Sequence, residues 1–582
     1  MREGLNRLWL VLILGAFGAP LFVGLGSTDL ANDEAIYSYA VESILTTGDW
    51  MSPRSSPNPD ITFLEKPPLK FWIVAAGIRL GLLPHNEFGM RFWDALSGAA
   101  AFVYVFLIGL RLAGPVCGAV AVLVLFAHEP LLFDHGLRSN NMDAALLLAY
   151  VGGVYHYLRW SDESRTSHRS WHLGGVAGFF FLAFMMKFVA ALFLPAVLAL
   201  AAFTIPAHRR RLAQEWRRWF VAGAVVVLCA LPWFLYQYYL HQDGLLRVMF
   251  GEHVYTRFTA FADAGHVHPW HFYVSGAYRE VTRTGSGLLA GLGLVYLALE
   301  TFRRRTPDAI VIAIWLVLPV TLISMGSSKL YHYLYPYLPP LALAAGGGAA
   351  WIARAAGRRL TIIERPEWRV SPRLRTMAWV ITGAAAAIAL GTAIDDGLRV
   401  SAGGHLLFRN TSIIRPLVIA GIGLAVAGSL RAGVALVAVL LVQAVLPTPL
   451  PAYAEHLRRL GTVDRPLSTL ARCVREVDDR QSGTLPAPGI YAPVWEAFLH
   501  PYFYYLRGSG WLSREIDEPR LRAALGAGGE PRPVALDQAR YLEFRARTAA
   551  VNDRLAEVAF RGLIVALPGD YAACATRIAR GT

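Results

Sequence analysis

The residues best suited to chemistry are a few charged side chains that lie beside long apolar runs. Asp33 and Glu34 follow the first run, and either carboxylate could act as a general base for an acceptor within hydrogen-bond reach. The alternative for Asp33 is the N-cap of the helix that follows it. Asp143 lies in the first turn of another apolar run and is a second candidate acidic residue, with helix capping again as the alternative.

The chain contains four lysines beside 51 arginines, so the positions that keep a lysine are informative. A lysine carries a compact, titratable charge, whereas arginine is a planar fork that stays charged. Lys66, Lys187 and Lys329 lie close to or within apolar runs, where a cation would stabilise a phosphate. Backbone amides of Ser327 and Ser328 would add donors beside Lys329. Chance retention in an arginine-biased chain is the alternative for any one lysine.

Two more polar segments lie between apolar runs. Histidines at 266, 268 and 271, together with His253, could bind a metal, but Pro269 interrupts them and they form no helical i, i+4 pair, so we expect no metal site. The segment 326–336, "GSSKLYHYLYP", is an anion site or, as the alternative, part of an interfacial tyrosine belt. Other residues expected to line the same cavity are Tyr37, Glu65, Arg138, His253, His268 and His332.

Composition indicates that these residues belong to a membrane protein. Hydrophobic residues make up 55% of the chain and charged residues 16%, below the roughly 25% charged residues of soluble domains. Arginines concentrate in short loops between apolar runs, which is the pattern of cytoplasmic loops, so the net charge of +14 does not indicate nucleic-acid binding. Runs long enough to cross a bilayer fall near residues 8–26, 92–111, 115–133, 142–159, 172–186, 188–205, 219–240, 285–302, 309–325, 333–352, 377–394, 412–429 and 432–447.

Thirteen crossings with arginine-rich loops inside fix a topology. The N-terminus is then cytoplasmic, and segments 27–91, 241–284 and 448–582 are outside. The stretch 172–205 would be about 51 Å long as one helix, which is too long for one crossing and short for two. A break near Lys187 that lines a polar cavity resolves this conflict. A lysine that snorkels from a helix end is the alternative.

The first outer segment, 27–91, is predicted to contain two interfacial helices. Residues 35–48 have an amphipathic pattern that Gly48 would end, and residues 67–84 begin with a proline, which the first helical turn tolerates.

The tail 448–582 is rich in arginine and proline, and its short apolar runs are bounded by turn residues. This pattern predicts a small C-terminal α/β domain outside the membrane, following a transmembrane catalytic module at 1–447. Cys473 and Cys574 lie in this tail. They form a disulfide in an oxidising compartment or remain unpaired core thiols, and the sequence leaves both open.

Several motifs in order resemble those of the GT-C glycosyltransferases over about residues 5–350. The most similar pattern is that of the branch containing the aminoarabinose transferases and the dolichyl-phosphate-mannose–protein mannosyltransferase family. The resemblance implies a polytopic α-helical membrane fold with about 13 transmembrane helices. The motifs are "NDEAIY", "GDW", "EKPPLKFW", "NMDAALL", "EHV…RF…HPWHFY" and "SSKLYHYLYP".

The resemblance implies an inverting glycosyltransferase of the bacterial inner membrane. It would move a sugar from a polyprenyl-phosphate donor to a periplasmic lipid, glycan or protein. Asp33 would be the base with Glu34 beside it, and Asp143 would be the second acidic residue. The residues implied for the donor phosphate and its cavity are Lys66, Lys187, Arg257, Lys329, Tyr331 and Tyr333.

Two positions depart from the pattern of the aminoarabinose branch. Ile36 replaces an arginine and Phe63 replaces a frequent tyrosine, and both departures weaken the implication of that specific sugar and of lipid A as the acceptor. A flippase or transporter of a lipid-linked sugar is the alternative function, although no internal repeat is evident. We expect a monomer in contact with membrane lipids that requires no cofactor, with a divalent cation as the open alternative.

Overall fold

The computed structural model describes residues 2–31, 33–55, 62–259, 264–360, 371–394, 398–402, 405–412, 414–426, 447–480, 504–505, 518–525, 531–547, 555–560 and 563–580. Two compact units make up the chain. The first unit comprises Met1–Val23, Ala95–Arg138 and Asp143–Gly461, and the second comprises Gly24–Asp94, Ser139–Met142 and Thr462–Thr582. Residues 432–446 of the predicted crossing at 432–447 lie outside the described residues, and the predicted boundary after residue 447 stays a prediction.

The first unit is helical apart from one antiparallel hairpin, Leu398–Ala402 with His405–Asn410, within the described ranges. Its helices up to residue 246 are Arg2–Ile13, Leu14–Gly18, Ala19–Phe22, Pro115–Ala127, Glu129–Phe133, Asp143–Asp162, Thr166–Ala191, Phe193–Thr204, Pro206–His241 and Asp243–Leu246. The later helices are Arg247–Thr256, Arg257–Thr259, Ala264–His266, Phe272–Arg283, Gly287–Ala298, Leu299–Arg303, Pro307–Met325, Tyr331–Tyr337, Leu338–Leu360, Pro372–Ile394, Ile414–Val426 and Leu450–Arg459. The helix Glu87–Ala113 begins in the second unit and continues into the first.

Five helices in the described part of the chain are long and apolar enough to cross a bilayer. Many of their large apolar side chains face outward, as in Trp171, Phe220 and Leu228, which are at least 67% exposed. Such exposure suits a lipid environment, in which apolar surface carries no solvation cost. The five helices are Glu87–Ala113, Thr166–Ala191, Pro206–His241, Pro307–Met325 and Pro372–Thr392.

The predicted break at Lys187 is confirmed. Inside the segment Thr166–Ala191, Lys187 has φ −151° and ψ 71°, which is not a helical conformation. A second helix, Phe193–Thr204, follows after Leu192. The stretch that was too long for one crossing is therefore divided close to its lysine, as its length and charge require.

Glycines allow close helix packing in the first unit. A Cβ atom at Gly293 would lie 2.2 Å from the Ala344 carbonyl oxygen, and one at Gly348 would lie 3.0 Å from Gly293 Cα. The helices Gly287–Ala298 and Leu338–Leu360 can therefore touch backbone to backbone, as small residues permit between membrane helices.

The second unit contains the segment with the acidic pair Asp33 and Glu34 and the C-terminal part of the chain. Its helices are Asp33–Thr47, Leu69–Arg79, Pro466–Arg480, Glu518–Leu525, Gln538–Arg547, Gly569–Tyr571 and Ala572–Arg580. Its strands Val534–Asp537, Ala556–Phe560 and Leu563–Leu567 form an antiparallel sheet with Leu563–Leu567 in the middle. Leu536, Tyr541 and Phe544 are buried in a core beneath this sheet.

The two helices of segment 27–91 differ slightly from the prediction. The first begins at Asp33 and not at residue 35, and it ends before Gly48, whose φ of +75° suits a glycine after a helix. The second spans Leu69–Arg79 and is shorter than the predicted 67–84. It ends early because Gly81, at φ +69°, turns the chain.

A disulfide joins Cys473 in Pro466–Arg480 to Cys574 in Ala572–Arg580. The Cα atoms are 5.7 Å apart, within the usual range for a disulfide. Of the two possibilities left open by the sequence, the structure has the bridge.

Candidate active site

Asp33, Tyr37 and Lys66 meet at the start of the helix Asp33–Thr47. Positions 33 and 37 are about one turn apart, so their side chains share a face, and Tyr37 Oη donates a hydrogen bond to Asp33 Oδ2 over 3.3 Å. The Lys66 ammonium donates to the same hydroxyl, and its Nζ lies 4.4 Å from the Tyr37 ring centroid. The hydroxyl thus links a carboxylate to a cation, the groups that a general base and a phosphate site require.

Aromatic packing fixes this tyrosine. The Tyr37 ring is 6.0 Å from Phe63 and 5.9 Å from Phe71, and the two phenylalanines contact each other edge-on at 5.3 Å between ring centroids. Tyr37 is therefore almost fully buried apart from its polar contacts. Phe63, one of the departures from the family pattern, is one of the two phenylalanines that pack against Tyr37 and orient its ring.

Glu34 faces away from this group and is held by Arg91. Arg91 Nε and Nη2 donate to the two carboxylate oxygens over 2.7 and 2.9 Å. The backbone N–H of Asn140 adds a bond of 2.8 Å to Oε1. Burial raises the pKa of Glu34, but Arg91 and the backbone donors outweigh burial and hold the pKa below its ordinary value of 4.5. The adjacent carboxylates of the acidic pair therefore occupy different environments.

A second buried ion pair joins Lys70, in the helix Leu69–Arg79, to Asp94, in the same helix as Arg91. The Lys70 ammonium donates to Asp94 Oδ2, and the two residues are 2% and 1% exposed. Lys70 therefore packs inside the second unit and neutralises a buried carboxylate. One of the four lysines thus has a structural partner that its sequence context did not reveal.

Asp143 and Lys187 form an ion pair in the first unit. Lys187 Nζ lies 2.9 Å from Asp143 Oδ1 and 3.3 Å from Oδ2, and it also lies 4.8 Å from the Tyr333 ring centroid. Asp143 is buried, whereas the Lys187 side chain keeps 17% exposure. The helix break at Lys187 turns its ammonium toward the first residue of Asp143–Asp162. Three of the predicted residues therefore come together here.

Lys329 has a different environment. Its Nζ donates to the carbonyl oxygens of His268 and Gly326 over 2.8 and 2.5 Å. Among the described residues, this ammonium forms no ion pair with a carboxylate, although Lys329 is only 3% exposed. Burial lowers the pKa of Lys329. A buried ammonium held by neutral oxygens retains positive potential for an anion.

The predicted backbone donors beside Lys329 are in part engaged elsewhere. The N–H of Ser327 donates to the Phe258 carbonyl, so the prediction that it is available to a phosphate is wrong. The N–H of Lys329 donates to the His266 carbonyl. These bonds join the segment that follows Met325 to the backbone at Phe258 and at His266. They hold the lysine in place.

Other predicted residues have their own neighbours. Tyr331 Oη shares a hydrogen bond of 2.9 Å with His128 Nε2, and the His332 ring stacks on His135 with centroids 4.5 Å apart. Arg138 donates to carbonyl oxygens of residues 20–23 over 2.7 to 3.3 Å, where it closes the end of the first helical segment.

Glu65 lies in the described loop directly before Lys66 and is partly buried. The side chains of His253 and Arg257 lie outside the described part of the structure, so their predicted roles stay predictions.

Sequence reasoning missed Arg91, Lys70 and Asp94 as members of the charged groups. The available signal was their position, because each lies in or beside an apolar run, where an ionisable side chain is costly unless it is paired.

Known proteins share both sequence and shape with the chain. Residues 65–236 match the family model of dolichyl-phosphate-mannose-protein mannosyltransferase. An undecaprenyl phosphate-α-4-amino-4-deoxy-L-arabinose arabinosyl transferase of Pseudomonas fluorescens is 29% identical, over 57% of this chain and 56% of its own. The corresponding transferase of Pseudomonas aeruginosa is 30% identical, over 58% of each chain. The chain therefore spans a little over half the length of these relatives.

The crystal structure of ArnT from Cupriavidus metallidurans bound to undecaprenyl phosphate superposes with a TM-score of 0.62. It covers 97% of this chain and 98% of ArnT, at 19% identity. The two chains therefore share a fold. The similarity inferred from the ordered motifs is confirmed: the chain is a polytopic membrane protein with the fold of ArnT, and its sequence is similar to those of the aminoarabinose transferases. The segment that matches the family model begins at Glu65 and so includes Lys66, Lys70, Asp143 and Lys187.

Proposed function

We propose that the chain is an inverting glycosyltransferase that moves a sugar from a polyprenyl-phosphate donor to an acceptor outside the cytoplasm. The relatives are named for transfer from undecaprenyl phosphate-linked aminoarabinose, and the ArnT structure was solved with undecaprenyl phosphate. The same class of donor, a sugar on a polyprenyl phosphate, fits the charges of this chain.

The observation that carries the proposal is the buried Lys329 ammonium, which is bonded to carbonyl oxygens and is without a carboxylate neighbour in the described ranges. A monoanionic or dianionic phosphate would supply the missing counter-charge. The departing polyprenyl phosphate gains negative charge as the sugar leaves, so a preorganised ammonium stabilises the transition state more than the ground state.

Asp33 is the proposed general base. It would take the proton of the acceptor nucleophile while the acceptor attacks the anomeric carbon. The bond from that carbon to the phosphate oxygen breaks, and polyprenyl phosphate leaves with the electron pair. Attack from the opposite face inverts the anomeric carbon. Tyr37, which donates to Asp33 and accepts from Lys66, would hold the carboxylate in orientation.

We further propose the topology that the arginine pattern predicts. Thirteen crossings in the bacterial inner membrane would leave the N-terminus in the cytoplasm and the C-terminal domain at 448–582 in the periplasm. The helix break at Lys187 supports this parity, because it divides 172–205 into two short segments. The disulfide between Cys473 and Cys574 also supports an oxidising location for the tail.

The test is sugar release from a panel of radiolabelled polyprenyl-phosphate sugars by the full chain in nanodiscs. We expect wild-type turnover of one panel member. Asp33→Asn should lose turnover by about 10²- to 10⁴-fold with donor binding intact. Asp464→Asn is the matched control, because this exposed aspartate forms hydrogen bonds through its backbone.

The role of Lys329 is tested in the same assay. Lys329→Met should lower turnover by about 10²-fold, and Lys329→Arg should retain more because it keeps the charge. Absence of turnover by wild type, together with movement of lipid-linked sugar across the bilayer, would replace the transferase with a transporter.

A further inference from the structure

The Glu34 carboxylate is saturated with hydrogen-bond donors. A carboxylate offers about four acceptor positions. Oε1 accepts from Arg91 Nε and from the Asn140 backbone N–H, over 2.7 and 2.8 Å. Oε2 accepts from Arg91 Nη2 over 2.9 Å and from the Ala31 backbone N–H over 3.4 Å. A carboxylate in this state has no position at which to receive a substrate proton.

We propose that Glu34 is a positioning residue that, with Arg91, fixes the proposed base Asp33 and the loop Ser139–Met142, and that it is not itself a base. This inference rests on the proposed function, because it assigns different roles to the two adjacent acidic residues of that site. Asp33 contacts Tyr37, whereas Glu34 contacts Arg91.

Arg91 ties the chain before the acidic pair to the helix that starts with it. Besides Glu34, its guanidinium donates to the carbonyl oxygens of Leu25, Thr28 and Asp29 over 2.9 to 3.0 Å. One side chain therefore sets where the segment enters and where the helix Asp33–Thr47 begins. Asp33 is covalently adjacent to Glu34, so its orientation follows from the same anchor.

The loop Ser139–Met142 is held from the same helix. Asn140 donates its backbone N–H to Glu34, and its side-chain amide donates to Ser38 Oγ over 2.8 Å. Asn140 is fully buried. This loop directly precedes Asp143 in the chain, so the contact also limits the position of the residue before the second acidic candidate.

The Lys70–Asp94 pair supports the same arrangement one turn further along. Arg91 and Asp94 are three residues apart on the helix Glu87–Ala113, so they lie on neighbouring positions of one face. Arg91 holds the helix Asp33–Thr47, and Asp94 holds Leu69–Arg79 through Lys70. Two charged pairs therefore fix the helices Asp33–Thr47 and Leu69–Arg79 to the helix Glu87–Ala113. Such pairs specify geometry because their hydrogen bonds are directional, whereas apolar packing tolerates sliding.

The test compares pH–rate profiles of wild type, Asp33→Asn and Glu34→Gln in nanodiscs with the active panel donor. Tyr37 and Lys66 face Asp33, so the profile reports that group as a whole. Asp33→Asn should remove the acid limb of the profile. Glu34→Gln should lower kcat by about 100-fold, because a displacement of about 1 Å costs that much. It should keep the acid limb and the donor KM.

A double variant separates positioning from stability. Arg91→Met should lower the thermal midpoint, since it leaves Glu34 buried without a cation, and Glu34→Met/Arg91→Met should recover the midpoint. The double variant should stay slow, because methionine offers no acceptor to the Asn140 N–H. Hydrogen–deuterium exchange should rise in peptides covering 33–38 and 139–142 in every Glu34 variant.

Loss of the acid limb in Glu34→Gln would make Glu34 a base and overturn the inference. Full turnover in the double variant would overturn it as well, by showing that the pair serves stability alone. If wild type releases no sugar from any donor, the proposed function fails. Hydrogen–deuterium exchange of the Glu34 variants then still tests whether Glu34 and Arg91 fix the segments 33–38 and 139–142. Unchanged exchange refutes this role, and faster exchange in both segments supports it.

Discussion

Removing Lys70 should be more damaging than removing both members of its ion pair. The pair is 2% and 1% exposed, so Lys70→Met leaves the Asp94 carboxylate buried without a cation. At about 3 Å and an effective dielectric constant of about 20, the lost attraction is about 5 kcal/mol. Measured losses for one-sided removal of buried pairs are about 3–5 kcal/mol. We therefore expect Lys70→Met to lower the free energy of unfolding by about 3–5 kcal/mol.

The double variant Lys70→Met/Asp94→Leu should behave differently. Both charges are then gone, and side chains of similar volume fill the site, so the change should lie within about 1 kcal/mol of wild type. The assay is unfolding of the full chain in mixed micelles, followed by circular dichroism and by tryptophan fluorescence. Asp94→Leu alone completes the double-mutant cycle, whose coupling energy should be at least about 3 kcal/mol.

The result that refutes this reasoning is additivity. If Lys70→Met and Asp94→Leu each cost little and sum to the double variant, then the two charges are solvated and the burial of this pair is wrong. Lys70→Arg is the control for charge without the same shape. It should lose part of the stability, because the longer planar group does not fit a site built around an ammonium.

Three further predictions concern other pairs. Cys473→Ser with Cys574→Ser should cost about 4–5 kcal/mol by the chain-entropy account of a loop of this length, seen as a lower thermal midpoint that reductant does not change further. Lys187→Met should destabilise the chain by about 3 kcal/mol because Asp143 stays buried; an unchanged midpoint contradicts the pair. The folded pKa of Glu34 lies below its unfolded value of 4.5, so its stabilisation is complete above pH 4.5 and is lost as the pH falls through the folded pKa. Wild type should therefore lose stability in this window more steeply than Glu34→Gln.

Local signals predicted several elements correctly. An acidic pair before an amphipathic segment predicts a helix start, and the helix begins at Asp33. Gly48 ends that helix, since glycine adopts the positive φ found there at no steric cost. The break at Lys187 followed from length and charge alone: a single helix would be too long for the bilayer, and its lysine would face lipid. These features depend on neighbours in the chain, so the sequence is sufficient for them.

The partners of the charged residues could not be read from the sequence. Lys187 finds Asp143 across 44 positions, and Arg91 finds Glu34 across 57. Neither interval has a periodic meaning, because each is set by how separate helices pack. The difference between Asp33 and Glu34 is also tertiary: adjacent side chains on a helix point about 100° apart, and what each one meets depends on the surrounding elements.

The sequence by itself determined that the chain crosses a membrane, where its helices begin or break, and which few residue types carry chemistry. These properties follow from hydropathy, helix length and backbone preference, all of which act over one segment at a time. Only the tertiary structure decided that Glu34 is saturated by Arg91, that Lys70 neutralises Asp94, and that Lys329 rests on carbonyl oxygens. In a low-dielectric interior the state of a charge depends on its nearest donors and acceptors, and packing alone chooses those neighbours.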